Sequence, residues 1–169
     1  MEALLVNAAE QLTTIMMELV AEHEQLLHLG QQKKDLLVRN EIQKLRQLVE
    51  KEMERVRQVE RLELRRQRAV QRLLGEAGAD AGIQAVLAVL PQPEREKLTV
   101  VAERLRSLLE QLQQLNEQNR MLVEQGLEFV RASMELFAAA EQTGTLYNRE
   151  AKMDEPPSGT GLSWLDQKV

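Results

Sequence analysis

The chain has 169 residues, is 43% hydrophobic but only 2% aromatic, carries a formal net charge of -5, and contains no cysteine. That length suits one domain with an appended tail. The missing cysteine excludes a disulfide framework and a thiolate metal site, and the acidic balance argues against nucleic acid as the main partner. Leu, Val and Ala mixed with Glu, Gln, Arg and Lys is the composition of long helices and coiled coils. Straight side chains of this kind lose little rotamer freedom in a helix.

From Leu5 the apolar residues keep a heptad spacing. Leu5, Ala8, Leu12, Ile15, Leu19, Leu26, Leu29 and Leu36 share one stripe, interrupted at Glu22 and Lys33. This predicts helix 1 over about 3–38, with Gly30 inside it at a cost of about 1 kcal/mol relative to Ala. Asn40, with Gln43 three residues on, reads as the N-cap and capping box of helix 2, over about 41–74. Its predicted stripe is Ile42, Leu45, Val49, Val56, Val59, Val70 and Leu73. The short connection favours an antiparallel hairpin, in which Glu22 would face Arg57.

Gly75 to Gly82 reads as a flexible loop, and no Gly-Lys-Ser/Thr follows it to make a phosphate cradle. Ile83 to Leu90 reads as a short helical segment closed by Pro91. Helix 3, about 94–141, has the cleanest repeat in the chain. Leu98, Val101, Leu105, Leu108, Leu112, Leu115, Asn119, Leu122, Gly126, Phe129, Ser133, Leu136 and Ala140 hold one register without a skip. The predicted domain is therefore a helical bundle over 1–143. A flexible tail over 144–169 follows, rich in turn and disorder residues. The tail holds Leu146-Tyr147 and Leu162-Ser-Trp164-Leu165, with the chain's only Tyr and only Trp. The fold class is all-α: an elongated antiparallel three-helix bundle or coiled coil, with a short extra helix between helices 2 and 3.

Length carries a further expectation. At about 1.5 Å per residue, helices 1 and 2 span roughly 50 Å and helix 3 roughly 70 Å. Helix 3 should overshoot the hairpin turn over about Gly126 to Ala140 and leave Leu127, Phe129, Val130, Met134, Leu136 and Phe137 uncovered. An apolar stripe of that kind marks an interaction site, suited to an amphipathic helix from a partner.

Other signals point to chemistry only weakly. His23 and His28 are five apart, whereas helical metal ligands prefer three or four, so both read as surface histidines and no metal or cofactor is expected. Acids near the stripes have little room for a catalytic pocket in a slim bundle, so no catalytic residues are expected. Arg55, Arg57, Arg61, Arg65, Arg66, Arg68 and Arg72 crowd the second half of helix 2. Interleaved acids and missing stacking aromatics favour a solvated face over a nucleic-acid site. The acidic N-terminus does not resemble a signal peptide. The longest candidate apolar segment, Ile83 to Leu90, falls short of the roughly 20 residues needed to span a bilayer. A cytoplasmic protein without membrane insertion is expected.

Leu115-Asn116-Glu-Gln-Asn119-Arg-Met-Leu122, followed by Leu127-Glu-Phe129-Val130, resembles the FlgN family of flagellar type III export chaperones. That family carries a Leu-Asn-x-x-Asn-x-x-Leu run on its last long helix, with an aromatic residue some seven positions later. The turn at Leu37 to Glu41, Leu87-Ala-Val-Leu90-Pro91, Thr145-Leu146-Tyr147-Asn148 and the terminal Trp164-Leu165-Asp166-Gln-Lys168-Val169 are similar to other parts of it. After Tyr147, Asn148-Arg149-Glu150 stands where many members have glycine.

The resemblance implies binding of the helical C-terminal segment of hook-associated proteins of the FlgK and FlgL type, which keeps them unassembled. It also implies their delivery to an export-gate protein of the FlhA type. It places client contact at Asn119, Leu122, Gly126, Phe129, Val130, Ser133, Leu136 and Phe137, and gate docking at Tyr147, with Trp164 and Leu165 as a tail motif. The alternative reading is a self-associating structural coiled coil or adaptor, and the sequence leaves a homodimer open.

Overall fold

The computed structural model describes residues 2–75 and 82–151, with side chains over 4–75 and 82–141. Every element among them is a helix: α1 Glu2–Val38, α2 Ile42–Leu74, α3 Ile83–Val89 and α4 Gln92–Ala151. The chain divides into two compact units, Met1–Gln125 and Gly126–Val169.

In the first unit, Ala9, Leu12, Ile15, Met16 and Leu19 of α1 form one core with Leu62, Ala69 and Val70 of α2, Val86 of α3, and Leu98 and Leu105 of α4. Leu12, Leu19, Leu98, Leu108 and Val86 are almost completely buried. A leucine removed from water this fully contributes about 1.5–3 kcal/mol. Cross-helix bonds give the directions. Along α1, Gln11, Glu18, Glu22 and Lys33 meet Arg72, Arg65, Arg55 and Glu52, so partners on α2 descend in number. Glu24 and Gly30 meet Arg104 and Asn119, so partners on α4 ascend.

These contacts correct the predicted seams. α1 packs on two neighbours, so its buried sector is wider than one a/d stripe. It takes in Ala9, Met16, His23 and Gly30, each one position beyond the expected register. His23 is therefore a core residue, its Nδ1 bonded at 2.7 Å to the Leu19 carbonyl, while His28 is exposed as expected. On α2 the buried face runs through Leu48, Leu62 and Ala69, while Ile42 and Val56 of the predicted stripe are exposed. Glu52, Arg55 and Arg66 lie on that same face at heptad spacing. Glu52 pairs with Lys33, and Arg55 pairs with Glu22, the acid expected to face Arg57. Arg57 bonds Glu54 on its own helix instead. The polar positions that interrupt helix 1 in sequence are thus met by opposite charges on α2.

Asn40 also changes role. Its φ is +55°, its N–H bonds the Leu37 carbonyl, and the Glu41 N–H bonds the Leu36 carbonyl. This is a Schellman closure of α1 with Asn in the left-handed position. α2 then opens at Glu41 without a side-chain cap. Asparagine suits both jobs, and the sequence does not separate them. At the other end of α2, Gly75 takes φ +78°, a conformation strained for any residue with a Cβ. Most of the predicted glycine loop, 76–81, lies outside the described residues. Arg95 Nη2 donates to the Leu90 carbonyl between α3 and α4.

α4 runs on to Ala151, so residues 144–151, read above as the start of a flexible tail, are helical. No proline interrupts that stretch, and one mid-helix glycine, Gly144, costs only about 1 kcal/mol. Among the described residues, one helix segment, Leu4–Val38 of α1, is long and apolar enough by length and composition to cross a membrane. A search for unbroken apolar runs passes over it, because polar residues are interspersed. Its buried Leu12, Ile15, Met16 and Leu19 belong to the core of the first unit.

Candidate binding site

In the first unit, α4 keeps its predicted register to Leu122. Leu98, Leu105, Leu108, Leu115 and Asn119 are buried, and Leu122 is half-buried. The Leu-Asn-x-x-Asn run is therefore a packing device. Leu115 and Asn119, one turn apart, straddle Gly30 of α1. A Cβ built on Gly30 would stand 2.8 Å from Leu115 Cδ2, so only glycine accommodates that approach without a shift. Asn119 Nδ2 donates to the Gly30 carbonyl at 2.9 Å, while its Oδ1 is buried without a partner. Asn119, expected among the client contacts, is thus 4% exposed and engaged inside the chain's own core. Heptad position alone does not distinguish an inward contact from an outward one. Asn116 beside it is exposed.

On the solvent side, Arg120 bridges Glu117 at 2.7 Å and Glu124 at 2.9 Å. Its hydrogen bond holds the Glu117 carboxyl below the ordinary carboxylate range.

In the second unit, the side chains of 126–141 are exposed except for half-buried Ser133. Phe129, Leu136 and Phe137 are 76%, 72% and 73% exposed, well beyond the scattered apolar residues of an ordinary surface. Leu127, Val130 and Met134 are each more than half exposed. At about 100° per residue these side chains fall on one side of the helix. Phe129 and Leu136 form one ridge, and Leu127, Val130, Met134 and Phe137 form another. Gly126 and Ser133 lie between the ridges. Ser133 turns its hydroxyl back onto the Phe129 carbonyl at 2.8 Å, so it presents little polarity outward. Glu128, Arg131 and Glu135 occupy the opposite side. A Cβ on Gly126 would meet nothing within 4 Å.

The predicted client residues Gly126, Phe129, Val130, Ser133, Leu136 and Phe137 therefore share one apolar face, joined by Leu127 and Met134. Tyr147 lies on the backbone of α4, with its side chain outside the described residues, as are Trp164 and Leu165. Among the described residues, no group of His, Asp and Glu side chains is placed to hold a metal ion.

Comparison with known families gives one match: the model of the family described as FlgN protein covers residues 1–155. No curated protein and no solved structure matches the chain.

Proposed function

This chain belongs to the FlgN family of flagellar export chaperones, and we propose that within that role its 126–137 face holds the amphipathic C-terminal helix of hook-associated proteins of the FlgK and FlgL type. The observation that carries this reading is the exposure of Phe129, Leu136 and Phe137 on one side of α4. A partner helix that lays its apolar stripe there removes those side chains from water, at about 1.5–3 kcal/mol for each large one. Several such residues supply micromolar or tighter binding after ordering costs. Asn119 drops out of the contact set because it is already engaged with Gly30.

The packed helices of the first unit are read as an up-down-up three-helix bundle that serves as scaffold. Handover to an export-gate protein of the FlhA type is assigned to Tyr147, with Trp164 and Leu165 as an accessory tail motif. The work takes place in the cytoplasm, where clients are made and must be kept unassembled.

Calorimetry tests the reading with a peptide covering the last roughly 40 residues of a hook-associated client. One-to-one binding is expected, weakened by about 1 kcal/mol or more in each of Phe129→Ala and Leu136→Ala. A stable dimer of the free chain that buries Phe129 and Leu136, together with no peptide binding, would instead establish a self-associating adaptor.

A further inference from the structure

We propose that the arginine-walled cleft between the start of α1 and the end of α2 is a second docking groove, one that takes an acidic polypeptide helix. The arginines of the chain differ in their counter-charges. Arg55, Arg57, Arg66, Arg104, Arg106 and Arg120 each have a carboxylate within ion-pair distance. Arg61, Arg65, Arg68 and Arg72 lie on one face of α2 at steps of four, three and four. On that face only Arg65 has an acid, Glu18 at 2.6 Å. Arg72 reaches only the Gln11 side-chain carbonyl, at 3.4 Å. Arg61 and Arg68 make no ion pair among the described residues.

The facing wall explains the shortfall. On α1, Asn7, Gln11 and Thr14 stand opposite at the matching spacing and are uncharged, and Glu10 is the one acid in the lining. Together the walls enclose a cleft of about 510 Å³ floored by Ile15 and Ala69. Three arginines thus line the cleft against one lining acid, Glu10, in a chain whose net charge is -5.

The spacing selects the ligand. A helix with carboxylates at steps of four, three and four, lying along α2, meets Arg65, Arg68 and Arg72 in the cleft and Arg61 one turn beyond it. Guanidinium forks bind carboxylates bidentately, which gives such a groove orientation as well as attraction. Leu64, 55% exposed one residue before Arg65, offers an apolar edge for the same helix. Nucleic acid fits less well. No aromatic side chain lines the cleft for a base to stack on.

The test uses the full-length chain and a fluorescein-labelled helical peptide with glutamates at steps of four, three and four. Binding is followed by anisotropy in about 50 mM NaCl, where screening is modest. Arg61→Gln, Arg68→Gln and Arg72→Gln combined should weaken binding about tenfold or more, as expected when steering charges are removed. None of the three makes an ion pair, so the variant should keep its helical signal. The control removes equal charge elsewhere, with Arg104→Gln, Arg106→Gln and Arg120→Gln on α4, and should change affinity less than about twofold. No binding at all, or equal losses in the two triple variants, overturns the groove. Tighter binding of polyuridylate or of phosphatidylserine vesicles, lost with the cleft triple, also overturns the acidic-helix assignment. Client-peptide affinity at the 126–137 face stays unchanged in the cleft triple, which separates this groove from that site.

Discussion

Gly30→Ala is the sharpest probe of the packing, because propensity and geometry predict opposite signs. Alanine should favour a mid-helix position by about 0.8–1 kcal/mol. Against that, its Cβ would sit 2.8 Å from Leu115 Cδ2 and 3.4 Å from Leu115 Cγ. Overpacking of this kind costs about 1–3 kcal/mol. If α1 and α4 part to relieve it, the hydrogen bond from Asn119 to the Gly30 carbonyl weakens as well, at about 1 kcal/mol. The expected net result is a loss of about 1–3 kcal/mol, or roughly 2–10 °C in melting temperature for a chain of this size. Urea and thermal unfolding followed by helical circular dichroism would measure it. Leu115→Val shortens the opposing side chain, so the double variant should recover about 0.5 kcal/mol or more relative to additivity. A stabilised Gly30→Ala, or strict additivity with Leu115→Val, would refute the close approach.

Four further outcomes are expected. Gly126→Ala, where nothing lies within 4 Å of the new methyl, should raise local helix stability by about 0.8–1 kcal/mol, read as slower amide exchange around it. Leu108→Ala should cost about 2–5 kcal/mol by urea titration, since the side chain is almost completely buried. Asn119→Leu removes one hydrogen bond together with an unsatisfied buried oxygen, so it should change stability by less than about 1 kcal/mol in the same titration. Glu52→Leu alone should destabilise by leaving half-buried Lys33 unpaired, whereas Glu52→Leu with Lys33→Met should recover most of the loss in a double-mutant cycle.

Legibility in the sequence followed the purity of the pattern. From Leu98 to Leu122 the heptads of α4 are unbroken, and the burial of Leu98, Leu105, Leu108, Leu115 and Asn119 follows them. α2 was harder to read because its inward face carries Glu52, Arg55 and Arg66, and a search for apolar periodicity slides onto Ile42 and Val56 instead. α1 has a second seam, since a helix with two neighbours buries more than one stripe, and His23 sits on it, one position off the a/d register. The apolar residues of 126–137 were visible as letters. What the letters lacked was the inward or outward sense of the register, which placed Asn119 with Phe129 although one is buried and the other exposed.

An intruding helix with a continuous apolar stripe could occupy the volume of α2 but would leave Glu22 and Lys33 without Arg55 and Glu52. Unpaired charges in that half-buried setting are costly. The hairpin thus recognises its own second strand by sign as well as by shape. For a chaperone, whose cargo competes for every apolar surface on offer, this password keeps the scaffold from being traded for the guest.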